Sequence, residues 1–291
     1  MTTESPAVVD LQAQQQVHEP LLVIDAHKAE QQYWRDLWAY RELAAFLAWR
    51  DILVRYKQTA MGIAWAVVRP LLLMLVGTFI FEKVLRQPSV GDVPYAILVY
   101  CGVLPWQFFG DSLTASSNSL VANANMISKI YFPRLLLPLS KLVVSCVDFV
   151  LSFCVLGLLM AWYGFAPSAN IVFLPLFVLL GAATAFAAGQ ILAALNVKYR
   201  DVMYVVPFIV QFGAYMSSVF FSSDRIPEQY RAIYSLNPMV SVIDGFRWCV
   251  LGPVSSLYWP GIVSAVLVVV ALLIGGAVYF RKTERTFADV I

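Results

Sequence analysis

Charge is scarce in this chain of 291 residues. Asp, Glu, Lys and Arg together make up 13% of it, against roughly 25% in a soluble domain. With hydrophobic residues at 60%, that shortage excludes an ordinary water-solvated surface and leaves lipid to solvate most of the molecule. Histidine is scarcer still. Only His18 and His27 occur, both upstream of the first apolar run. The block Gly110-Asp111-Ser112-Leu113, which matches a serine-hydrolase signature, therefore has no downstream imidazole to activate its serine. No GxxxxGK(S/T) loop is present to cradle a nucleotide, and neither HExxH nor another metal-ligand spacing occurs. Energy for any transport must then come from an ion gradient or from a partner protein. Of the four cysteines, Cys101, Cys146 and Cys154 fall in apolar runs and Cys249 in a later polar stretch, with no CxxC pair. They read as small packing residues. The net charge of +2 is scattered and forms no basic stripe, which argues against nucleic acid as a partner. The N-terminus lacks the basic-then-apolar pattern of a signal peptide and is expected to remain as a mobile polar tail.

What the chain does have is long apolar runs. Six are long enough to cross a bilayer: Ile63–Phe81, Tyr95–Leu120, Leu139–Trp162, Ile171–Asn196, Met203–Phe221 and Gly261–Phe280. They are continuously apolar and do not alternate with period two, which predicts helices and excludes a β-barrel. The fold expected is an all-α integral membrane protein of six transmembrane helices. Lys83, Arg86, Arg225, Arg231 and Arg247 fall on one side of it, Arg69 lies within a span, and every other Lys and Arg falls on the opposite side. By the positive-inside rule that richer side is cytoplasmic and holds both termini. The stretch Ser222–Trp259 is long for a loop, and Met239–Leu251 within it is apolar. Re-entrant or interfacial helices are expected there, with Asn237 as a cap and Pro238 in the first turn.

Ahead of the first span, residues 33–58 are rich in helix formers and contain neither Pro nor Gly. Steps of four, eleven and seven residues put Trp34, Trp38, Trp49 and Tyr56 on one side, the pattern of an amphipathic helix lying in the headgroup region. The second span is divided: YAILVYCGVLPWQFF is apolar and aromatic, whereas GDSLTASSNSLVANAN is full of hydroxyls and amides. The polar half must face protein or a wet pathway, since lipid would leave it unsatisfied. Ionisable groups within spans are few. Lys141 and Asp148 stand two turns apart on one face, which points to an ion pair or to neutralisation through a neighbouring helix. Between the second and third spans, ANANMISKIYFPRLLLP (Ala122–Pro138) packs Ile127, Ile130, Tyr131 and Phe132 around Lys129 and Arg134. Pro133 and Pro138 limit how its backbone bends. Retention of a loop by charge accounts for the two basic residues but not for the rings beside them.

These residues resemble the membrane-spanning subunit of ABC-2-type exporters of bacterial polysaccharides, the group that moves O-antigen, capsule and teichoic acid chains. The resemblance runs from about Glu19 to the C-terminus. It is carried by YRELAAFLAWRDILVRYKQTAMGIAWAVVRPLL (Tyr40–Leu72), PYAILVYCGVLPWQFF, SLVANANMISKIYFPRLLLP, KYRDV (Lys198–Val202) and LNPM (Leu236–Met239). Arg69 stands where the family has Gln. The resemblance implies a tail over 1–32, an interface helix over 33–58, the ABC-2-type six-helix domain over 59–281 and a cytoplasmic tail over 282–291. It implies a homodimer in the bacterial inner membrane that binds two copies of an ABC ATPase and binds no cofactor itself, the ATP and Mg belonging to the ATPases. This chain would be a transport subunit and not an enzyme, and its cargo a lipid-linked polysaccharide. The ATPase-docking residues it implies are Arg50, Asp51, Arg55, Tyr56 and Lys57, then Ser128, Lys129, Ile130, Tyr131, Phe132, Pro133 and Arg134. The first and fifth spans would line a channel along the dimer axis, with Trp106, Phe108, Phe109, Tyr215 and Phe220 as candidate rings on the sugar path. An ABC-2 permease for drugs or lipids, and an intramembrane enzyme of glycan or lipid metabolism, are the alternatives.

Overall fold

A computed structural model describes residues 26–57, 62, 64–86, 93–252, 257–284 and 287. Most of the two expected tails, and Ile63 at the start of the first apolar run, lie outside the described residues. Helix α1, Ala26–Ala39, belongs to a unit of its own, and residues from Tyr40 onward form a second. The interface segment is therefore helical but interrupted at Tyr40, so Trp34 and Trp38 do not share one helix with Trp49 and Tyr56. In α1 the rings of Tyr33 and Trp34 meet edge to face with centroids 5.9 Å apart.

The second unit contains α2 (Arg41–Lys57), α3 (Ala64–Thr78, continued by a π-helical turn over Phe79–Val84), α4 (Tyr95–Ala122), the single turn α5 (Ala124–Ile127) and α6 (Leu136–Trp162). A 3₁₀ turn, Ala169–Phe173, leads into α7 (Leu174–Lys198), followed by α8 (Val202–Tyr215), α9 (Glu228–Tyr234), α10 (Pro238–Leu251) and α11 (Trp259–Glu284). No strand occurs among the described residues. Among the described residues, five helices are long and apolar enough to cross a membrane: α3 with its π-turn, α4, α6, α7 with its 3₁₀ turn, and α11.

Helix α4 is the centre. It packs against α3, α6, α7, α8 and α10, and most of its length is buried, whereas most of α3 and α11 is not. Lipid tails are as apolar as the side chains they would replace, so close packing and hydrogen bonds, and not burial itself, hold such a helix in place. The polar half supplies both. Ser112, Ser116, Ser117 and Ser119 are fully buried. The Asn196 amide on α7 donates to the Ser117 carbonyl and to Asn118 Oδ1, each at 3.0 Å, and Ser116 Oγ donates to the Pro138 carbonyl at 3.2 Å. Gly189 lets α7 close on α4, since a Cβ there would lie 2.8 Å from that of Ser116. The polar half of the second span thus faces protein.

The fifth apolar run behaves differently from the expectation. Its helix, α8, has 14 residues and so rises about 21 Å, short of the ~30 Å hydrocarbon core. The chain then leaves helical geometry, with Ser218 at φ 51°. Three of the carbonyls in this break are taken by one side chain, and a fourth, Phe220 O, accepts from the Tyr95 hydroxyl at 2.8 Å. Arg247 of α10 is fully buried and donates Nη1 to Ser218 O (2.7 Å) and Phe221 O (2.8 Å), Nη2 to Val219 O (2.7 Å) and Nε to Leu98 O (3.3 Å). An irregular backbone away from water persists only where its polar groups find such partners. Helix α10 begins as its sequence suggests, with the Asn237 side chain accepting from Met239 N at 3.1 Å and Pro238 in the first turn, and it stops at Gly252, whose φ is 75°.

Candidate functional site

At one end of the bundle gather α2, the end of α4, α5, the start of α6 and the end of α11. Helix α2 is held there through charge. Leu47, Ala48, Asp51 and Arg55 share a face, and Leu47 and Ala48 are buried. Asp51 receives Lys141 Nζ at 2.6 Å and Arg50 Nη2 at 2.9 Å, and Arg50 also donates to Asn123 Oδ1 at 3.2 Å. Arg55 lies 2.8 Å from Asp148, which also accepts from the Tyr56 hydroxyl. Burial, then the Asp148 carboxylate beside it, pushes the Tyr56 phenol well above its usual range, so it remains a donor. Lys141 and Asp148 on α6 are thus neutralised by a neighbouring helix. In this ladder α2 and α6 share two consecutive ionic rungs.

The connection between α4 and α6 is stiff. Asn123 N bonds back to Leu120 O, α5 adds one turn, and Ser128 Oγ donates to Asn125 O at 3.2 Å. Ser128, Lys129, Ile130 and Tyr131 then form an exposed strip, with Ile130 59% and Tyr131 83% accessible. Phe132 and Pro133 turn inward and are buried. Arg134 is half-buried, and its backbone N–H donates to Glu284 Oε1 at 2.9 Å while its guanidinium donates to the Glu284 carbonyl.

Of the residues expected to dock a partner, Asp51, Arg55 and Tyr56 are turned to α6, Arg50 bridges to Asn123, and Lys57 is exposed. The strip from Ser128 to Tyr131 offers its side chains outward. The expected sugar-path rings divide. Trp106 donates Nε1 to Val210 O at 3.2 Å, Phe109 leans on Trp106, Phe108 packs on Phe149, and Phe220 stacks on Phe81. All four are buried: Trp106, Phe108 and Phe109 on the central helix α4, and Phe220 after α8, pack within a single copy. Tyr215 is exposed, in line with Tyr204, Phe208 and Phe212 along α8.

A cleft of about 230 Å³ lies between α2, α3, α4 and α6, its lining mixing apolar residues such as Trp65, Leu104 and Phe149 with Arg69, Asp111 and Asp148. Arg69 Nη1 lies 3.1 Å from Asp111 Oδ1 across it. The lone cation of the first span and the Asp of the supposed hydrolase block are therefore partners, while the adjacent Ser112 hydroxyl is fully buried inside the bundle. No group of three or more His, Cys, Asp or Glu able to hold a metal ion occurs among the described residues.

Comparison with known proteins places these elements in context. Residues 42–251 match the family of ABC-2 type transporters. An O-antigen export system permease protein of Klebsiella pneumoniae is 31% identical over 86% of this chain and 95% of its own length. One from Myxococcus xanthus is 30% identical over 73% of this chain and 82% of its own. A capsule polysaccharide export inner-membrane protein of Neisseria meningitidis is 24% identical over 82% and 90%.

Proposed function

The chain belongs to the ABC-2 type transporters, and we propose that it is one half of an ATP-driven exporter that threads a lipid-linked polysaccharide out across the bacterial inner membrane. It is the permease of a polysaccharide exporter. The observation that carries this reading is the end-to-end similarity to permeases of O-antigen export, which covers nearly the whole length of those relatives. The missing nucleotide loop agrees with it, because ATP and Mg then belong to a separate ATPase.

In the working complex two copies of this chain face each other and two ATPases sit against the charged end, which is cytoplasmic. The strip Ser128–Tyr131 lies on the ATPase surface. When ATP draws the ATPases together, the strip moves with them. Phe132 and Pro133, being buried, carry the motion into α6, and the Asp51–Lys141 and Arg55–Asp148 rungs carry it into α2. A flexible connector would absorb the displacement instead. Helix α8 completes the sixth crossing together with the irregular residues after it, and α9 and α10 re-enter from the outer face, tolerated there because protein surrounds them. The exposed rings of Tyr204, Phe208, Phe212 and Tyr215 face the path between the two copies, where sugar rings stack on their faces while hydroxyls stay hydrated.

Deleting the gene tests the reading. Lipid-linked polysaccharide is expected to accumulate on the cytoplasmic face; unchanged surface glycan in a strain with no redundant exporter sinks it.

A further inference from the structure

Something must keep the strip Ser128–Tyr131 from pivoting about Pro133, and the last span supplies it. Helix α6 starts without a side-chain cap: Leu135, its N-cap, makes no side-chain bond to the first turn, and the first N–H groups, which a helix leaves without intrahelical partners, are met by the backbone just ahead, Leu136 N by Pro133 O and Leu137 N by Arg134 O, both at 3.1 Å. One residue before that N-cap, the backbone N–H of Arg134 is met by the Glu284 carboxylate at 2.9 Å. An anion there also complements the positive end of the helix dipole. The last turn of α11, 150 residues away in sequence, therefore anchors the residue whose carbonyl receives the first turn of α6. The Arg134 guanidinium closes the contact from the other side. It donates to the Glu284 carbonyl and lies 5.7 Å from the centre of the Phe287 ring, within cation–π range. Phe287 is fully buried and meets Phe280 edge to face, centroids 5.5 Å apart at 82°.

Arg134 thus spends its charge inward, on the end of α11, and not on a partner surface. We propose that Glu284 and Phe287 are positioning residues for transport: a C-terminal clasp that locks the strip to both α6 and α11, so that a displacement of the strip moves two spans as one body. The clasp rests on the reading of the strip as the ATPase contact. Its own function is to convert ATPase movement into span movement, not to bind the ATPase.

The test compares Glu284→Ala, Phe287→Ala and their combination with Glu284→Gln, which keeps an acceptor for Arg134 N, and Phe287→Tyr, which keeps the ring. Two quantities are read. The first is backbone hydrogen exchange of residues 128–134 in the purified full-length permease. The combined variant is expected to exchange about tenfold faster there while the rest of the protein is unchanged, as local opening of a clasped segment requires. The second, in the complex with the ATPase, is glycan exported per ATP hydrolysed. It should fall at least about fivefold while ATPase co-purification and hydrolysis persist, and Phe287→Tyr should restore most of it. Unchanged exchange in 128–134, or unchanged export per ATP, overturns the clasp. Loss of the ATPase from the complex overturns it too, because the tail would then be a docking surface itself. If the combined variant does not fold, Arg134→Lys, which keeps the charge but loses the planar contact with Phe287, answers the same two questions. If wild-type permease binds no ATPase, the function proposed above fails, while the exchange measurement still decides whether the clasp exists.

Discussion

Cutting the Arg55–Asp148 rung from one side should not be equivalent to cutting it from the other. The Asp148 side chain is 10% exposed, while that of Arg55 is 42% exposed, with 2.8 Å between them. Arg55→Ala removes the cation and strands the buried carboxylate with the Tyr56 hydroxyl. Breaking a buried pair in this way costs about 3–5 kcal/mol. Because Arg55 is partly solvated, the expected loss is smaller, about 1–3 kcal/mol. Asp148→Asn removes the anion instead. Arg55 then turns to solvent and the amide still accepts from Tyr56, so the cost should stay below about 1 kcal/mol. The double variant buries no charge and should be more stable than Arg55→Ala alone. At roughly 2–4 °C per kcal/mol, Arg55→Ala should lower the melting temperature by about 2–12 °C in detergent, read from intrinsic tryptophan fluorescence. Equal losses for the two single variants, or a double variant that loses their full sum, would refute the stranded-carboxylate argument.

Three further outcomes follow from the same structure. Arg247→Leu leaves the carbonyls of Ser218, Val219 and Phe221 without a partner and should cost about 3–5 kcal/mol, in the range of other stranded buried polar groups; the folded fraction recovered after extraction and gel filtration reads it, and Arg247→Lys should recover only part. Tyr131→Ala should weaken ATPase co-purification more than Arg134→Ala does, while membrane insertion of both equals wild type; the reverse order would mean that Arg134 is the docking group. Gly102→Ala should destabilise by about 1–3 kcal/mol, because its Cβ would fall against the Val219 carbonyl that Arg247 holds; thermal unfolding checks it, and a neutral result would mean that the irregular segment relaxes freely.

Much of the fold was legible because a bilayer imposes length and polarity on each span. The apolar runs around α3, α4, α6, α7 and α11 announced themselves, and so did Asn237 and Pro238 at the start of α10. The inward-facing polar half of α4 was legible for the same reason, since Ser116 and Ser117 have no satisfactory place in lipid. The run Met203–Phe221 was read as one helix because composition does not register a break; what ends α8 is a guanidinium 26 to 29 residues downstream of the carbonyls it holds. The depth of Trp106 and Phe108 along α4 is readable from sequence, but which neighbour covers them is not. In the candidate site, the exposed strip could be found from its rings beside charges. The ladder was half visible, in the spacing of Lys141 and Asp148, but their partners on α2 were not. The anchor on Arg134 was invisible, because Glu284 stands 150 residues away in the sequence.

The most direct measurement uses the purified permease and its ATPase reconstituted together in liposomes that carry the lipid-linked glycan on the ATPase face. Addition of ATP is predicted to move glycan to the opposite face, with no movement when the permease is omitted or when ATP is replaced by a non-hydrolysable analogue. ATP hydrolysis that proceeds with no glycan crossing, while the carrier lipid lacking glycan is moved instead, would contradict the account.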